Sequence, residues 1–349
     1  MQVTVRAASL RLTEPFVIAR DTTTDAEVAW VEIEHDGERG YGEAAPIGRY
    51  AESAESAVAY VEEVADSLGD DPFALDEIDE RLPAREYAAR AAIDGALHDL
   101  CGKLTGLPVW RLLGLRRGGP PTSWTIGLGD PDETARKAER VRDFRSLKLK
   151  LGGRDGLDVE RVRAVRAVWK GPIRVDVNEY WTLDEALDSI PSLRELGVDY
   201  VEQPLPEGDP DGLALKARSP LPIYVDEDCH TLADVAACSE RAHGINIKLA
   251  KSGGIREAIR MAHAARGLGL GVMVGCMVES GLGIAAGAVV ASLCDHADLD
   301  GNVLIANDPW PGVELIDGVQ MPAETPGLGV SPVERVPAFS TDEEVPSPR

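Results

Sequence analysis

The chain has 349 residues, of which 44% are hydrophobic, and a formal net charge of −24. This length suits a barrel-sized domain together with a smaller second domain. The negative charge argues against nucleic acid or an anionic membrane surface as a partner, and five scattered cysteines without C-x-x-C spacing indicate neither a disulfide framework nor a zinc site.

Residues 1 to about 45 are predicted to form a meander of strands. Apolar and polar residues alternate over Gln2–Leu12 and Glu27–His35, and Asp36-Gly37 is typical of a hairpin turn. We expect a polar, mobile loop at about 18–25 between the first two strands. The start of the chain lacks the apolar run of a signal peptide, and the longest apolar run, Gly281–Cys294, is too short to span a bilayer, so we expect a cytoplasmic protein.

Two helical patterns follow, from Ser53 to about Leu68 and from Ala84 to about Leu104. The second is rich in alanine and glycine, which favours close packing. The Gly- and Pro-rich stretch Gly114–Pro121 then marks a domain boundary. We therefore expect an N-terminal α+β domain over residues 1–118.

From Thr122 onwards, short apolar strands alternate with amphipathic helices. Eight strand–helix units in succession predict an α/β fold in which a parallel sheet closes as a TIM-type (β/α) barrel over residues 119–318. Residues 319–349 are Pro-rich and irregular, and we expect this segment to run back over the first domain, with a disordered tail from Ser340.

Ionisable residues end the predicted strands at the period of the fold itself. Active sites of such barrels collect at the C-terminal strand ends. In this chain those ends carry, in order, Lys150, Asp176, Glu202, Asp226, Lys248 and Asp298. A ring of ion pairs closing the barrel mouth is the structural alternative, but burying three carboxylates together without a cation is very costly.

Three carboxylates that converge on one point suit a hard divalent cation such as Mg²⁺. Lys150 and Lys248, reached from opposite sides of that cation, suit proton transfer at a carbon next to a substrate carboxylate, with the metal as Lewis acid. An alternative of a different class is a Schiff-base aldolase that uses Lys248 as its nucleophile.

Several motifs together resemble the muconate-lactonising-enzyme subgroup of the enolase superfamily. They are Lys148-x-Lys150, Asp176-Val-Asn178, Val201-Glu202-Gln203-Pro204, Val225-Asp226-Glu227 and Asn246-Ile-Lys248-Leu249. The segments Gly40–Pro46 and Ala92–Leu97 resemble that subgroup's capping domain, and Pro326–Val330 resembles its C-terminal segment. The resemblance implies a modified (β/α)7β barrel under an N-terminal α+β capping domain.

The same resemblance implies roles for the residues of the rim. It implies Asp176, Glu202 and Asp226 as ligands of one Mg²⁺ per subunit, Lys150 and Lys248 as acid/base groups, and Asn178 and Glu227 as supports behind them. Asp228 stands where serine is common, which leaves open which carboxylate of residues 226–228 binds the metal. We prefer Asp226 because it lies at the strand end.

Val274–Ser280, followed by Asp298-Leu-Asp300, resembles the dipeptide epimerase family. This implies that Asp298 and Asp300 hold the substrate's α-ammonium while the α-carbon of the dipeptide's C-terminal residue is inverted through an enediolate. A turn after the last strand is the alternative for the two aspartates. Arg20 would pair with an acidic side chain of the substrate, as in Ala-Glu epimerases, or else be a solvated loop arginine.

Lys148 and Cys276 complete the predicted substrate pocket. Alternatives within the superfamily are o-succinylbenzoate synthesis, N-succinylamino acid racemisation and muconate-type cycloisomerisation. We expect a homo-oligomer that acts on a small-molecule substrate.

Overall fold

An antiparallel meander and a helix rich in small residues dominate the N-terminal part of the chain. The computed structural model describes residues 1–141 and 144–333. The N-terminal elements are β1 (Gln2–Val17), β2 (Thr22–His35), β3 (Glu38–Ala44), α1 (Ala54–Val64), α2 (Leu75–Arg81), α3 (Tyr87–Thr105) and α4 (Val109–Leu112). The strands pair in the order β1-β2-β3.

Glycines on β3 let this strand lie directly against α3. A Cβ atom at Gly42 would lie 1.9 Å from the Ala92 carbonyl oxygen, and one at Gly40 would lie 2.0 Å from the Ala96 carbonyl oxygen. No side chain fits into either space, so the close approach depends on glycine in the strand and alanine in the helix. The packing predicted from the small residues of this helix is therefore confirmed.

The connection between β1 and β2 is shorter than the sequence predicts. β1 runs to Val17 and β2 begins at Thr22, and these two residues pair with each other. A backbone hydrogen bond of 2.9 Å from Ile18 to Asp21 closes the turn. The predicted mobile loop at 18–25 is wrong for its second half, because three successive β-branched threonines favour a strand.

The rest of the described chain alternates strands and helices. They are β4 (Ser123–Ile126), α5 (Pro131–Arg140), β5 (Ser146–Lys150), α6 (Asp158–Val168), β6 (Ile173–Asp176), α7 (Leu183–Glu195), β7 (Val198–Glu202), α8 (Gly212–Arg218), β8 (Ile223–Val225), α9 (Val235–Arg241), β9 (Gly244–Lys248), α10 (Leu249–Ser252), α11 (Ile255–Gly267), β10 (Gly271–Gly275), α12 (Gly281–Val290), β11 (His296–Asp298), α13 (Gly301–Leu304), β12 (Glu314–Ile316) and β13 (Val319–Met321).

Strands β4 to β11 form an eight-stranded parallel sheet in sequence order. A parallel bridge between Thr122 and Ala297 joins its two edges, and Thr122 Oγ1 accepts a hydrogen bond of 2.7 Å from the Leu299 N–H. The sheet is therefore closed, and the predicted TIM-type barrel is confirmed. Among the described residues after β11, the one helix is the four-residue α13, in agreement with the (β/α)7β form.

Period-two alternation separates the inside of the barrel from its outside. Leu147, Leu149 and Val175 belong to the core between the sheet and its helices. Tyr200, Tyr224 and Met273 form a separate cluster, on the opposite face of their strands. Aromatic side chains thus fill the lower barrel, and the charged strand ends lie above them.

The segment after β13 contacts helices of the N-terminal part. The Leu328 N–H donates to Asp99 Oδ1 at 2.7 Å, and Trp110 Nε1 donates to the Ala323 carbonyl at 2.9 Å. The predicted disorder from Ser340 lies outside the described residues. Within those residues no helix has both the length and the apolar character that a membrane crossing requires.

We predict that Gly42→Ala lowers the free energy of unfolding by at least about 3 kcal/mol, because the added methyl group overlaps the backbone of α3. Urea unfolding measures this loss. Gly48→Ala is the matched control, since a Cβ there meets no atom within 4 Å. Equal stability of the two variants would contradict the packing account.

Candidate active site

The strand ends bring the predicted residues to one rim of the barrel. Lys150 at the end of β5 pairs in register with Asp176 at the end of β6, and Asp176 pairs with Glu202 at the end of β7. Asp226 directly follows β8, and Lys248 ends β9. The strand order therefore places a lysine on each flank of three buried carboxylates.

Each outer carboxylate carries a lysine partner. Lys150 Nζ donates to Asp176 Oδ2 at 2.6 Å and to Asn178 Oδ1 at 3.1 Å, and Lys248 Nζ lies 2.7 Å from Asp226 Oδ2. Burial raises the pKa of both aspartates, but the ammonium groups outweigh it and hold each pKa well below its usual value.

Lys248 is held in its charged form by the same contact. Burial lowers its pKa, but the charge of Asp226 outweighs burial and raises the pKa above its ordinary value. A charged ammonium cannot attack a carbonyl or accept a proton, but it can donate one, so in this arrangement Lys248 is in the proton-donating state. The geometry therefore does not favour the Schiff-base alternative for Lys248.

Lys148 is fully buried beneath these groups and contacts three carboxylates. Its Nζ lies 2.7 Å from Asp298 Oδ2, 2.8 Å from Glu202 Oε2 and 3.2 Å from Asp176 Oδ2. Burial lowers the pKa of Lys148, but these carboxylates raise it well above the usual value. Lys148 is thus a fixed positive charge, and its contact with substrate stays a prediction.

The state of Glu202 indicates a need for a further cation. Its Oε2 is buried and lacks a hydrogen bond, because Lys148 Nζ lies close to it but outside hydrogen-bonding geometry. Burial and the charge of Asp176 raise the pKa of Glu202 to about 7. The carboxylate therefore retains unused capacity to bind a positive charge.

The same donors fit Mg²⁺. In the described part of the chain, no three carboxylate, imidazole or thiol groups are close enough to hold a metal as the side chains stand, and Lys148 lies between Asp176 and Glu202. Three carboxylates at adjacent strand ends, one of them unsatisfied, are nevertheless the oxygen ligands that Mg²⁺ prefers.

The three acidic residues after β8 occupy three different environments. Asp226 faces the rim lysines. Glu227 is fully buried and accepts a hydrogen bond of 2.9 Å from Arg20 Nη1, and burial with the charge of Asp226 raises its pKa to about 7. Asp228 accepts a hydrogen bond of 2.8 Å from Gln203 Nε2 and lies 3.0 Å from Arg241 Nη1. Asp226 is therefore the carboxylate placed beside the other two candidate ligands.

Asp298 and Asp300 close the opposite side of the rim. The Thr125 N–H donates to Asp300 Oδ2 at 2.6 Å, and Thr125 Oγ1 lies 3.3 Å from Asp298 Oδ1. Burial and the charge of Asp298 raise the pKa of Asp300 to about 7. Both aspartates are buried, so a solvated turn does not describe them.

Cys276 lies beside the two aspartates. Burial raises the pKa of its thiol well above the usual value, and the charges of Glu279 and Asp300 add to this effect. A thiol with a raised pKa is a poor nucleophile. Cys276 therefore fits the predicted role in lining the pocket.

Arg20 reaches the rim from the N-terminal part of the chain. Its Nη1 donates to Glu227 Oε1 at 2.9 Å and to Glu179 Oε2 at 3.1 Å. Arg49 donates to the other oxygen of Glu179 at 3.0 Å. Arg20 is thus partly buried and ion-paired, which excludes the alternative of a solvated loop arginine.

Sequence reasoning missed several contributors to this site. Lys251 Nζ lies 2.7 Å from Asp226 Oδ1, which gives that carboxylate a second cation. Lys251 lies on the short α10, which follows β9 directly, and no pattern in the sequence links it to Asp226. Glu179 and Thr125 carry no comparable pattern in the sequence.

An α+β domain joined to a (β/α) barrel whose strand ends carry three carboxylates between two lysines defines the class as the enolase superfamily. Residues 1–114 match the family described as Mandelate racemase / muconate lactonizing enzyme, N-terminal domain, and residues 133–336 match Enolase C-terminal domain-like.

Three relatives narrow the class. The chain is 41% identical to an L-Ala-D/L-Glu epimerase of Bacteroides thetaiotaomicron, over 95% of this chain and 88% of the relative. It is 37% identical to a hydrophobic dipeptide epimerase of a Flavobacteria bacterium, over 94% of this chain and 97% of the relative. The structure of a dipeptide epimerase from Enterococcus faecalis, solved with Mg and L-Leu-L-Tyr, superposes on this chain with a TM-score of 0.90. The two are 34% identical, and the match covers 95% of this chain and 99% of that structure. The chain belongs to the dipeptide epimerase family, and is an isomerase.

We predict that Asp226→Asn weakens Mg²⁺ binding by at least about 100-fold, because it removes the charge that faces the rim. Asp228→Asn, the matched control, changes the affinity less than threefold, since Asp228 binds Gln203 and Arg241 instead. Calorimetric titration of EDTA-treated protein with Mg²⁺ measures both. Equal weakening in the two variants would contradict the assignment of Asp226.

Proposed function

We propose that the chain is a Mg²⁺-dependent dipeptide epimerase that inverts the α-carbon of the dipeptide's C-terminal residue. The observation that carries this proposal is the placement of Lys150 and Lys248 on opposite flanks of the three carboxylates, each with its Nζ directed at the rim. Family membership supports the reaction type over the other activities of the superfamily.

Asp176, Glu202 and Asp226 would hold the Mg²⁺, and Asn178 and Glu227 lie directly behind them. When bound, the ion stabilises the negative charge that develops on the substrate's carboxylate oxygens as the α-proton leaves. It would also supply the charge that the unsatisfied Oε2 of Glu202 lacks.

The two lysines divide the proton transfer between them. The lysine that is neutral would take the α-proton from one face of the carbon, and the lysine that is charged, as Lys248 is here, would return a proton to the opposite face, which inverts the centre. Their contacts with Asp176 and Asp226 hold the two Nζ atoms apart on either side of the substrate position. The reverse reaction exchanges the roles of the two lysines.

The dipeptide's α-ammonium would bind Asp298 and Asp300. Burial makes a pair of carboxylates a strong acceptor for a cation. Thr125 orients both groups through its N–H and its hydroxyl. Cys276 would line the same end of the pocket, and Lys148 would add a fixed positive charge for the substrate's carboxylate end.

Arg20 would select an acidic side chain at the C-terminal position of the dipeptide. It already binds two carboxylates, Glu179 and Glu227, and Arg49 also binds Glu179, so a substrate carboxylate could take the place of Glu179 at Arg20 while Arg49 keeps Glu179 paired. This favours Ala-Glu-type dipeptides. Homo-oligomer formation and a cytoplasmic location stay predictions, and the net charge of −24 supports the exclusion of nucleic acid.

We predict that Lys150→Ala and Lys248→Ala each stop α-proton exchange from one substrate configuration, with a loss of about 10²–10⁴-fold. Both diastereomers of a dipeptide are incubated in D₂O, with and without EDTA, and deuterium uptake is read by mass spectrometry. Lys170→Ala, at an exposed position, is the control. Full turnover by either rim variant would refute the two-base scheme.

We predict that Arg20→Met lowers kcat/KM for L-Ala-L-Glu by about 10- to 100-fold relative to L-Ala-L-Leu, because a charge-assisted hydrogen bond is lost with one substrate only. The ratio of kcat/KM for the two substrates is unaffected by a loss of activity that is common to both. Arg49→Met, in the same ion-pair network, is the matched control and leaves the ratio unchanged. An unchanged ratio in Arg20→Met would exclude Arg20 as a specificity residue.

A further inference from the structure

Two glutamates that the proposed reaction does not use lie where the N-terminal part meets the barrel. Glu43 belongs to β3, and Glu279 lies between β10 and α12. They are only 8% and 5% exposed. In the described residues, neither carboxylate forms an ion pair with a basic side chain, which is unusual for buried carboxylates.

The hydrogen bonds of the two glutamates are unequal. Glu43 accepts from Trp30 Nε1 at 2.7 Å, from the Ser280 N–H at 2.8 Å and from the Ser280 hydroxyl. Glu279 Oε1 accepts from the Met277 N–H at 2.9 Å. Its Oε2 receives no hydrogen bond from the described protein groups. Glu43 is therefore surrounded by donors, as an ionised carboxylate requires, and Glu279 is not.

The free oxygen of Glu279 faces Glu43 across a small gap at Gly283. A Cβ atom at Gly283 would lie 2.7 Å from Glu279 Oε2 and 2.8 Å from Glu43 Oε1. Small and apolar residues, among them Ala91, Gly95 and Leu282, line the rest of this cavity. Its volume of about 10 Å³ is close to the minimum for one water molecule.

Few charges face the two carboxylates. The charge of Asp308 acts on Glu43, and the charge of Lys248 acts on Glu279. From the neighbouring elements, β2 contributes Trp30 Nε1, α3 contributes only small residues to the cavity, and the thiol of Cys276 faces Glu279. Two buried carboxylates in such surroundings cannot both ionise at low cost.

We propose that Glu43 and Glu279 share one proton across this gap and together form a positioning device for the loop 276–280. Glu279 Oε2 carries the proton and donates it to Glu43, directly or through the one water that the cavity can hold. The arrangement satisfies the oxygen that lacks a partner, and it ties the N-terminal domain to the barrel.

The loop that this pair holds forms the wall behind the two aspartates of the rim. A Cβ atom at Gly301 would lie 2.8 Å from both the Glu279 nitrogen and the Met277 carbonyl oxygen, so the residue after Asp300 packs directly on the loop. The glutamate pair therefore acts through the loop on the position of Asp300. Its effect on substrate binding rests on the proposed function; its effect on stability does not.

The shared proton makes the contact between Glu43 and Glu279 sensitive to alkaline pH. Burial raises the pKa of both glutamates above the value of about 4.3 of an unfolded glutamate, and that of Glu279 the further, to about 8, because Glu43 accepts more hydrogen bonds. A group whose folded pKa is raised loses its stabilising contribution as the pH rises through that folded pKa. Both carboxylates ionise above pH of about 8, and their repulsion loosens the loop.

The test compares thermal unfolding midpoints between pH 6 and pH 9. Glu279→Gln keeps a donor toward Glu43 but cannot ionise, so we expect a midpoint like that of the unchanged protein at pH 6 and one about 2–4 °C higher at pH 9. Glu139→Gln, at an exposed position, is the matched control and shifts the curve by the same amount at every pH. A pH profile of Glu279→Gln parallel to that of the control would overturn the proposal.

Glu43→Gln identifies which glutamate carries the proton. Its amide NH₂ would face the donors of Trp30 and Ser280, so this variant lowers the midpoint at pH 6, whereas Glu279→Gln does not. A larger loss in Glu279→Gln than in Glu43→Gln at pH 6 would overturn the assignment of the proton.

The kinetic readout is the KM of a dipeptide at pH 7 and pH 9. We expect KM to rise between these values by up to about tenfold more in the unchanged protein than in Glu279→Gln, with kcat similar. Deprotonation of the substrate's own amine affects KM equally in both proteins, so it does not contribute to the difference between them. If no dipeptide is turned over, the proposed function fails while the unfolding comparison still tests the pair.

Discussion

Compensation of buried charge at the barrel rim is the constraint on which the rest of the structure depends. Isolated carboxylates in such an interior would cost several kcal/mol each. Within the described residues, the cations that form ion pairs with Asp176, Glu202 and Asp226 are Lys148, Lys150, Lys248 and Lys251. Asp176 and Asp226 are strongly stabilised as anions, and Glu202 is left with an unsatisfied oxygen. The protein thus provides most of the positive charge itself and leaves one place for a metal.

The N-terminal domain supplies the remaining charge balance. Arg20 and Arg49 pair with Glu179, which lies beyond the strand ends of the barrel, and Arg20 also pairs with the buried Glu227. In the opposite direction, Glu43 accepts hydrogen bonds from Ser280 of the barrel. Each domain therefore contributes hydrogen-bond donors to carboxylates of the other domain. A rim that is dry enough for proton transfer requires this cover, because exclusion of water strengthens each ion pair.

The barrel and the order of its rim residues were predictable because both follow from periodicity. Alternation within strands and a spacing of one strand–helix unit determine where Lys150 and Asp176 lie. Contacts between distant segments were not predictable in this way. Glu43 and Glu279 belong to different domains and have no local pattern that links them. The extent of the loop at 18–25 was mispredicted because its polar composition concealed the strand preference of successive threonines.

Residues 226–228 show how strand geometry separates side chains that composition alone does not distinguish. Tyr224 belongs to the aromatic cluster inside the barrel, and Asp226, two residues later, keeps the same inward direction. The side chain of Glu227 points to the opposite face and accepts a hydrogen bond from Arg20. Asp228 lies beyond the end of the strand. Three chemically similar side chains therefore have different surroundings because the sheet ends between them. The parity with Tyr224, and not acidity, is what distinguishes Asp226 as the candidate metal ligand.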